Sequence, residues 1–105
     1  MCFGIGEERM KRPAVYILAS QRNGTLYTGV TAHLTRRIWQ HKENTSAGFT
    51  KKHQVHRLVY FEFHEDFLTA IARESAIKRW HRLWKIRLIE QLNPTWEDLY
   101  DTLIP

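Results

Sequence analysis

The chain has 105 residues, 43% of them hydrophobic and 26% charged, which fits one globular domain able to bury a core without staples. Its single cysteine, Cys2, excludes an internal disulfide and a cysteine-rich zinc site. The formal net charge is +5 and uneven: from Arg36 to Arg87 twelve Lys/Arg face five Asp/Glu, while Leu88 to Pro105 hold four acids and no base, so the basic middle suits a polyanion such as nucleic acid.

Residues 1–12 mix glycine, charge and isolated apolar side chains without a period and read as a flexible lead-in to a domain over residues 13–105. No signal-like apolar core occurs there, and no apolar run nears the ~20 residues of a membrane span. The expectation is a soluble cytoplasmic protein, monomeric and without a membrane partner. AVYILAS and TLYTGVT are two short runs rich in β-branched and aromatic residues, separated by Gln21-Arg22-Asn23-Gly24, whose Asn-Gly pair favours a tight hairpin turn. An even-numbered loop puts Tyr16 and Tyr27 on the same sheet face. A four-residue loop pairs Ser20 with Thr25 and makes the tyrosines diagonal neighbours, roughly 7–8 Å apart, whereas a three-residue loop separates the faces. Beyond Thr31 the period changes, and Leu34 and Ile38 begin a helix on which Arg37 and His41 stand one turn apart. Two phenols and an Arg/His pair then form either a polar constellation or two core tyrosines beside a solvated helix edge.

The segment Glu43–Gln54 is polar and carries Lys51, Lys52 and His53, suited to phosphate contacts or to a plain connector. RLVYFEFH, from Arg57, has the composition of a third strand with two apolar faces, as in a strand at the centre of a sheet. Asp66–Gln91 reads as helix, N-capped by Asp66 and bent or split near Trp80–Arg82, where apolar residues would otherwise appear all round. Glu74 interrupts the stripe Phe67–Ile71–Glu74–Lys78, so it must be paired, hydrated or bound to a cation. A salt bridge to Lys78, Arg73 or Arg37 is the structural alternative. Trp80 and Trp84 read as inward-packing core. Asn93-Pro94 ends the helix, and Thr95 can cap a last short helix through Trp96, Leu99 and Tyr100. The six histidines contain no HExxH pattern or zinc-finger spacing, and no phosphate-binding glycine-lysine loop occurs.

The order V-Y-I, then Y-T-G with its tyrosine eleven residues after the first, then Arg37 ten residues on and His41 four further, resembles the GIY-YIG nuclease signature. Val15 stands at the glycine-like position of the first motif and Thr28 at the central apolar position of the second, both places where members vary. The resemblance continues through F-T-K-K-H, L-V-Y-F-E, A-I-A-R-E-S-A-I-K-R-W and K-I-R-L-I-E-Q-L-N-P-T-W-E-D-L-Y, covering Pro13 to about Tyr100, and is closest in kind to small stand-alone bacterial members.

It implies an α/β fold, a small three-stranded antiparallel sheet flanked by helices, and metal-dependent hydrolysis of DNA phosphodiester bonds, with structure-selective cleavage in repair or recombination as the expected setting. The site would comprise Tyr16, Tyr27, Arg37, His41, Glu74 and Asn93. Tyr16 or Tyr27 would act as base, Arg37 would hold the phosphate, and Glu74 would bind one Mg²⁺ or Mn²⁺ ion. Lys51, Lys52 and Arg57 would contact the DNA backbone. The competing expectations are a nucleic-acid-binding module that cleaves little and a protein-interaction module using Trp96, Leu99, Tyr100 and the acidic tail.

Overall fold

The computed structural model describes residues 12–43 and 55–103; residues 1–11 and the segment with Lys51 and Lys52 lie outside them. In chain order the elements are β1 (Ala14–Ala19), β2 (Leu26–Thr31), α1 (Leu34–Lys42), β3 (Arg57–Phe63), α2 (Phe67–Arg79), α3 (Arg82–Leu92) and a 3-10 helix (Leu99–Leu103). Arg12 lies over the Phe63 ring at 5.2 Å, and the Pro13 carbonyl accepts from the His64 N–H at 2.8 Å.

The hairpin turn sets the register. The Ser20 N–H donates to the Thr25 carbonyl at 3.1 Å and the Gly24 N–H to that of Gln21 at 2.9 Å, closing the four-residue loop. Asn23 takes the left-handed φ of 58°, which asparagine tolerates better than most side chains. Leu18 therefore pairs with Tyr27 and Tyr16 with Gly29. Arg82, at the start of α3, donates to the carbonyls of Asn23 and Gly24 at 2.7 and 2.6 Å, tying the turn to the helical layer.

The antiparallel sheet has the order β2-β1-β3. The central strand is thus β1, buried at all six positions, and β3 is an edge strand, correcting the central placement that its composition suggests. Its apolar residues on both faces are nonetheless covered. On one face Val15, Ile17, Ala19, Val59 and Tyr60 pack under Ala70, Ile77 and Ile89 of the two later helices and under Trp96. On the other, Tyr16, Leu18 and Leu58 pack under Leu34 and Ile38 of α1, with the 3-10 helix alongside. Composition reports this covering, not strand order, because an edge strand roofed on both faces needs the same side chains as a central one.

The helix after β3 begins where expected: Asp66 Oδ1 accepts from the Thr69 N–H at 2.8 Å. It also divides where expected, Trp80 and His81 both lying in extended backbone between α2 and α3. Ile77 and Ile89 are twelve residues apart, about 120° out of phase on one continuous helix; the break re-phases them onto one core. The buried row of α2 is Ala70–Glu74–Ile77, whereas Phe67 and Ile71 are 42% and 38% exposed. Trp84, 51% exposed, does not pack inward, because the break leaves it on the outer side of α3.

The tail departs from the sequence reading. Trp96 is outside the last helix, in left-handed backbone at φ 59° and fully buried, its Nε1–H donating to Glu90 Oε2 at 2.6 Å. Burying the indole offsets a backbone strain of ~1–2 kcal/mol, and it removes Trp96 from any exposed interaction surface. The register between β1 and β3 slips between Ile17 and Leu18, so that Val59 is an extra residue, a bulge. Asn93 Nδ2 donates to the Val59 carbonyl at 3.0 Å and so satisfies the group that the bulge withdraws from the ladder.

Candidate active site

Tyr16 and Tyr27 share the face beneath α1 because the four-residue loop fixes their parity. Their ring centroids are 6.3 Å apart. His41, in the last turn of α1, stands 5.8 Å from Tyr16 and 5.5 Å from Tyr27 by ring centroids. Tyr16 Oη and His41 Nε2 are 3.0 Å apart. Both side chains are almost completely buried, whereas Tyr27 and Arg37 are half-buried. Arg37 donates from Nη1 to Gln40 Oε1 at 3.3 Å and borders a shallow depression lined by Thr31, His33, Arg36 and Gln40.

The second-motif glycine explains how Tyr16 reaches this position. A Cβ on Gly29 would lie 2.5 Å from both Cζ and Oη of Tyr16, so the phenol crosses the strand where a side chain is missing. Gly29→Ala is expected to displace the ring, lower stability by about 1–3 kcal/mol and separate Tyr16 from His41. Denaturant unfolding checks this, and an alanine variant as stable as the wild type would contradict it.

Burial pushes the Tyr16 phenol up to about 12, and nearby Tyr27 and Glu74 add to this against the opposing pull of Arg37. Burial, followed by the positive charge of Arg37 and by His56, pushes His41 down to about 4. At neutral pH the phenol keeps its proton and the imidazole is neutral, so Tyr16 donates to Nε2 and the His41 proton is assigned to Nδ1. For Arg37, burial works against the charge, but Tyr16 and Tyr27 outweigh it and hold the guanidinium above its ordinary value. His41, depressed below the ordinary histidine value, binds a proton more readily unfolded than folded. Stability is therefore predicted to be fully present above pH ~6.5 and to fall as the pH drops toward 4, with a slope approaching ~1.4 kcal/mol per pH unit from this group. Urea midpoints of wild type and His41→Phe between pH 4 and 7 check this: a wild-type curve no steeper than the variant's would contradict it.

Glu74 occupies the buried row of α2, close enough for its charge to oppose ionisation of Tyr16. Its Oε2 pairs with Lys78 Nζ at 2.8 Å, the i+4 partner anticipated. Arg73 instead grips Glu62 through Nε and Nη2 at 2.9 and 3.2 Å. Among the described residues no group of three His, Cys, Asp or Glu side chains gathers to hold a metal. A hard cation would thus rest on the Glu74 carboxylate with water and phosphate oxygens, a donor set that magnesium accepts.

Two anticipated site residues engage the backbone. Asn93 spends Nδ2 on the carbonyls of Val59 and Glu97, and its Oδ1 accepts from the Glu97 N–H at 3.0 Å, so its amide holds the backbone. Arg57 donates to the Trp96 carbonyl at 3.2 Å. Two contributors escaped the sequence reading. Gly29 was visible as a motif member but not as a space for Tyr16. His56, which acts electrostatically on His41 and whose Nδ1 is buried with no partner among the described residues, gave no sequence signal.

Known proteins resemble this chain over most of its length. Residues 12–87 match the GIY-YIG catalytic domain. A UPF0213 protein of Clostridium perfringens is 41% identical over 75 residues, covering 71% of this chain and 80% of that protein. One from Staphylococcus aureus is 36% identical over 77 residues, covering 73% and 93%. The solution NMR structure of a UPF0213 protein from Bacillus halodurans superposes with a TM-score of 0.52 at 29% identity, covering 83% of this chain and 92% of that one. With the paired tyrosines, the crossing glycine, the arginine and the histidine assembled on one hairpin and helix, the chain belongs to the GIY-YIG nuclease superfamily, among the small UPF0213 proteins.

Proposed function

We propose that this domain is an endonuclease that hydrolyses DNA phosphodiester bonds with the help of one Mg²⁺ or Mn²⁺ ion. The observation that carries the reading is the packing of Tyr16, Tyr27 and His41 with Arg37 beside both phenols, in a chain of this superfamily. Tyr16 already donates to His41 and is pushed up to about 12, so at neutral pH it keeps its proton and stays a donor. Tyr27, half-buried beside it, takes the role of base, accepting a proton from the attacking water, directly or through a second water, as it passes its own hydroxyl proton on to solvent. Arg37 holds the phosphate and stabilises the charge that develops as the new P–O bond forms and the old one breaks. His41 fixes the Tyr16 hydroxyl and, through the packed rings, the position of Tyr27. When bound at Glu74, the cation supplies further positive charge at the phosphate oxygens.

On this reading the chain works in the cytoplasm as a monomer on branched or damaged DNA, in repair or recombination. Lys51 and Lys52 add backbone contacts. Replacing both with alanine is expected to weaken binding broadly and flatten its salt dependence by about two phosphate contacts; an unchanged slope in anisotropy titrations would remove them from the interface. The test of the whole is incubation of wild type and Arg37→Ala with branched, flapped, single- and double-stranded DNA, with and without Mg²⁺ or Mn²⁺. Metal-dependent cleavage lost in Arg37→Ala supports it. The Glu74–Lys78 pair supports a second reading, a binding module that cleaves little. Salt-sensitive DNA binding with no cleavage under any of these conditions would favour that reading.

A further inference from the structure

On the side of the sheet opposite Tyr16, the break between α2 and α3 sets out an aromatic ridge. Trp80 meets Trp84 with ring centroids 6.2 Å apart and planes at 75°, and His81 meets Trp84 at 5.7 Å and 86°. Arg73 lies over the Trp80 ring at 5.2 Å. Trp84 is held at its edge yet leaves half its surface open. Beside it runs a shallow groove lined by Trp80, Trp84, Arg87, Leu88 and Gln91. A core explanation fails for a half-exposed tryptophan, and the surroundings are cationic. Lys78, Arg79, Arg82, Lys85 and Arg87 follow one another with no acid before Glu90, and Glu90 is engaged by Trp96.

These cations also connect the ridge to the site. Lys78 pairs with Glu74, and Lys85 donates to the Lys78 carbonyl at 3.4 Å. Burial presses the Lys85 ammonium below its usual value, and Arg82 and Lys78 crowd it with further positive charge. A polyanion relieves that crowding, whereas a second copy of the same face would add to it. Exposed aromatic surface interleaved with cations is the chemistry that holds unpaired nucleotides: bases stack on the rings and phosphates take the charges. Duplex DNA keeps its base faces inside and cannot use the ring.

We infer that the Trp84 face of α3, with Arg87 beside it, is a second nucleic-acid contact that receives an unpaired base, so that the proposed substrate carries a single-stranded portion reaching past Lys78 and Lys85 to this ridge. The inference rests on the nuclease reading for the identity of the polymer, but its readout is binding and not cleavage.

The experiment is fluorescence anisotropy in EDTA, so that no strand is cut, with labelled oligothymidylate, a duplex of the same length and an abasic strand of the same charge. Trp84→Ala is expected to weaken oligothymidylate binding about 5- to 100-fold, the range of one lost base stack. The duplex and the abasic strand should change by less than about 2-fold. Trp84→Phe should recover most of the loss and Trp84→Leu, with similar apolar bulk but no ring, should not. Arg87→Gln should lower the salt slope by about one for all three probes. Circular dichroism verifies folding, and if the alanine variant does not fold, the Leu and Phe variants carry the comparison. Equal losses on all three probes, or no loss, would overturn the inference. So would unchanged DNA binding with a Trp84-dependent self-association, or with a Trp84-dependent acidic protein partner. A chain that cleaves without any Trp84 effect overturns only this inference; a chain that never cleaves but shows the Trp84 pattern overturns only the enzyme.

Discussion

Glu74→Gln should lower metal-dependent DNA cleavage by about 100- to 10,000-fold while leaving DNA binding intact or slightly stronger. Glutamine keeps the size and hydrogen-bonding reach of the carboxylate but removes the anion, and with it both the cation's anchor and a charge that repels phosphate. Stability should hardly move. The partner ammonium, Lys78, has a side chain 54% exposed, and such a half-solvated pair contributes ~0–1 kcal/mol, a few degrees of melting temperature at most in a domain of this size. The neutral amide also leaves no unpaired charge in the buried row. Melting curves with and without Mn²⁺, set beside cleavage of a branched DNA, decide the matter. A glutamine variant that is clearly destabilised yet cleaves as fast as wild type would make Glu74 a structural ion-pair partner and nothing more.

The two tyrosines should separate in the same assay. Tyr27→Phe is expected to reduce the cleavage rate by about 100- to 10,000-fold with little change in stability, because it removes the proton acceptor and only a half-buried hydroxyl. Tyr16→Phe should show the reverse balance. It removes the buried hydrogen bond to His41 Nε2, a loss of about 1–3 kcal/mol, while the rate falls by a smaller factor through misplacement of Tyr27. Single-turnover rates and urea midpoints, measured together, give the split. A larger rate loss for Tyr16→Phe at unchanged stability would move the base from Tyr27 to Tyr16.

The parts of this domain that were legible beforehand are the local ones. Asn23-Gly24 and the tyrosine spacing fix the hairpin parity, since a four-residue loop leaves only one set of pairings. Arg37 and His41 follow from helical spacing, and Asp66 from its place ahead of a helical run. What was not legible depends on contacts distant in sequence. Nothing in R-L-V-Y-F-E-F announces that Val59 is an extra residue, so nothing announces that Asn93 would be needed to satisfy its carbonyl. An asparagine beyond the helix suits a site role and a structural one alike, and its three hydrogen bonds show the structural one. Trp96 looked helical because a left-handed tryptophan is locally unfavourable, and only the core it fills makes that backbone tenable. Trp84 looked buried because spacing locates a helix face without saying whether a neighbour covers it.

The joint at Trp80–His81 has a consequence for how such a domain can diversify. On one unbroken helix, inserting or deleting a single residue would rotate everything beyond it by about 100° and put the burial of one end in conflict with the other. Two extended residues between α2 and α3 absorb such changes in torsion. Exchanging residues along the outer surface of α3 therefore leaves the helix that carries Glu74 in place, and the joint insulates an inherited chemistry from a surface free to be rewritten.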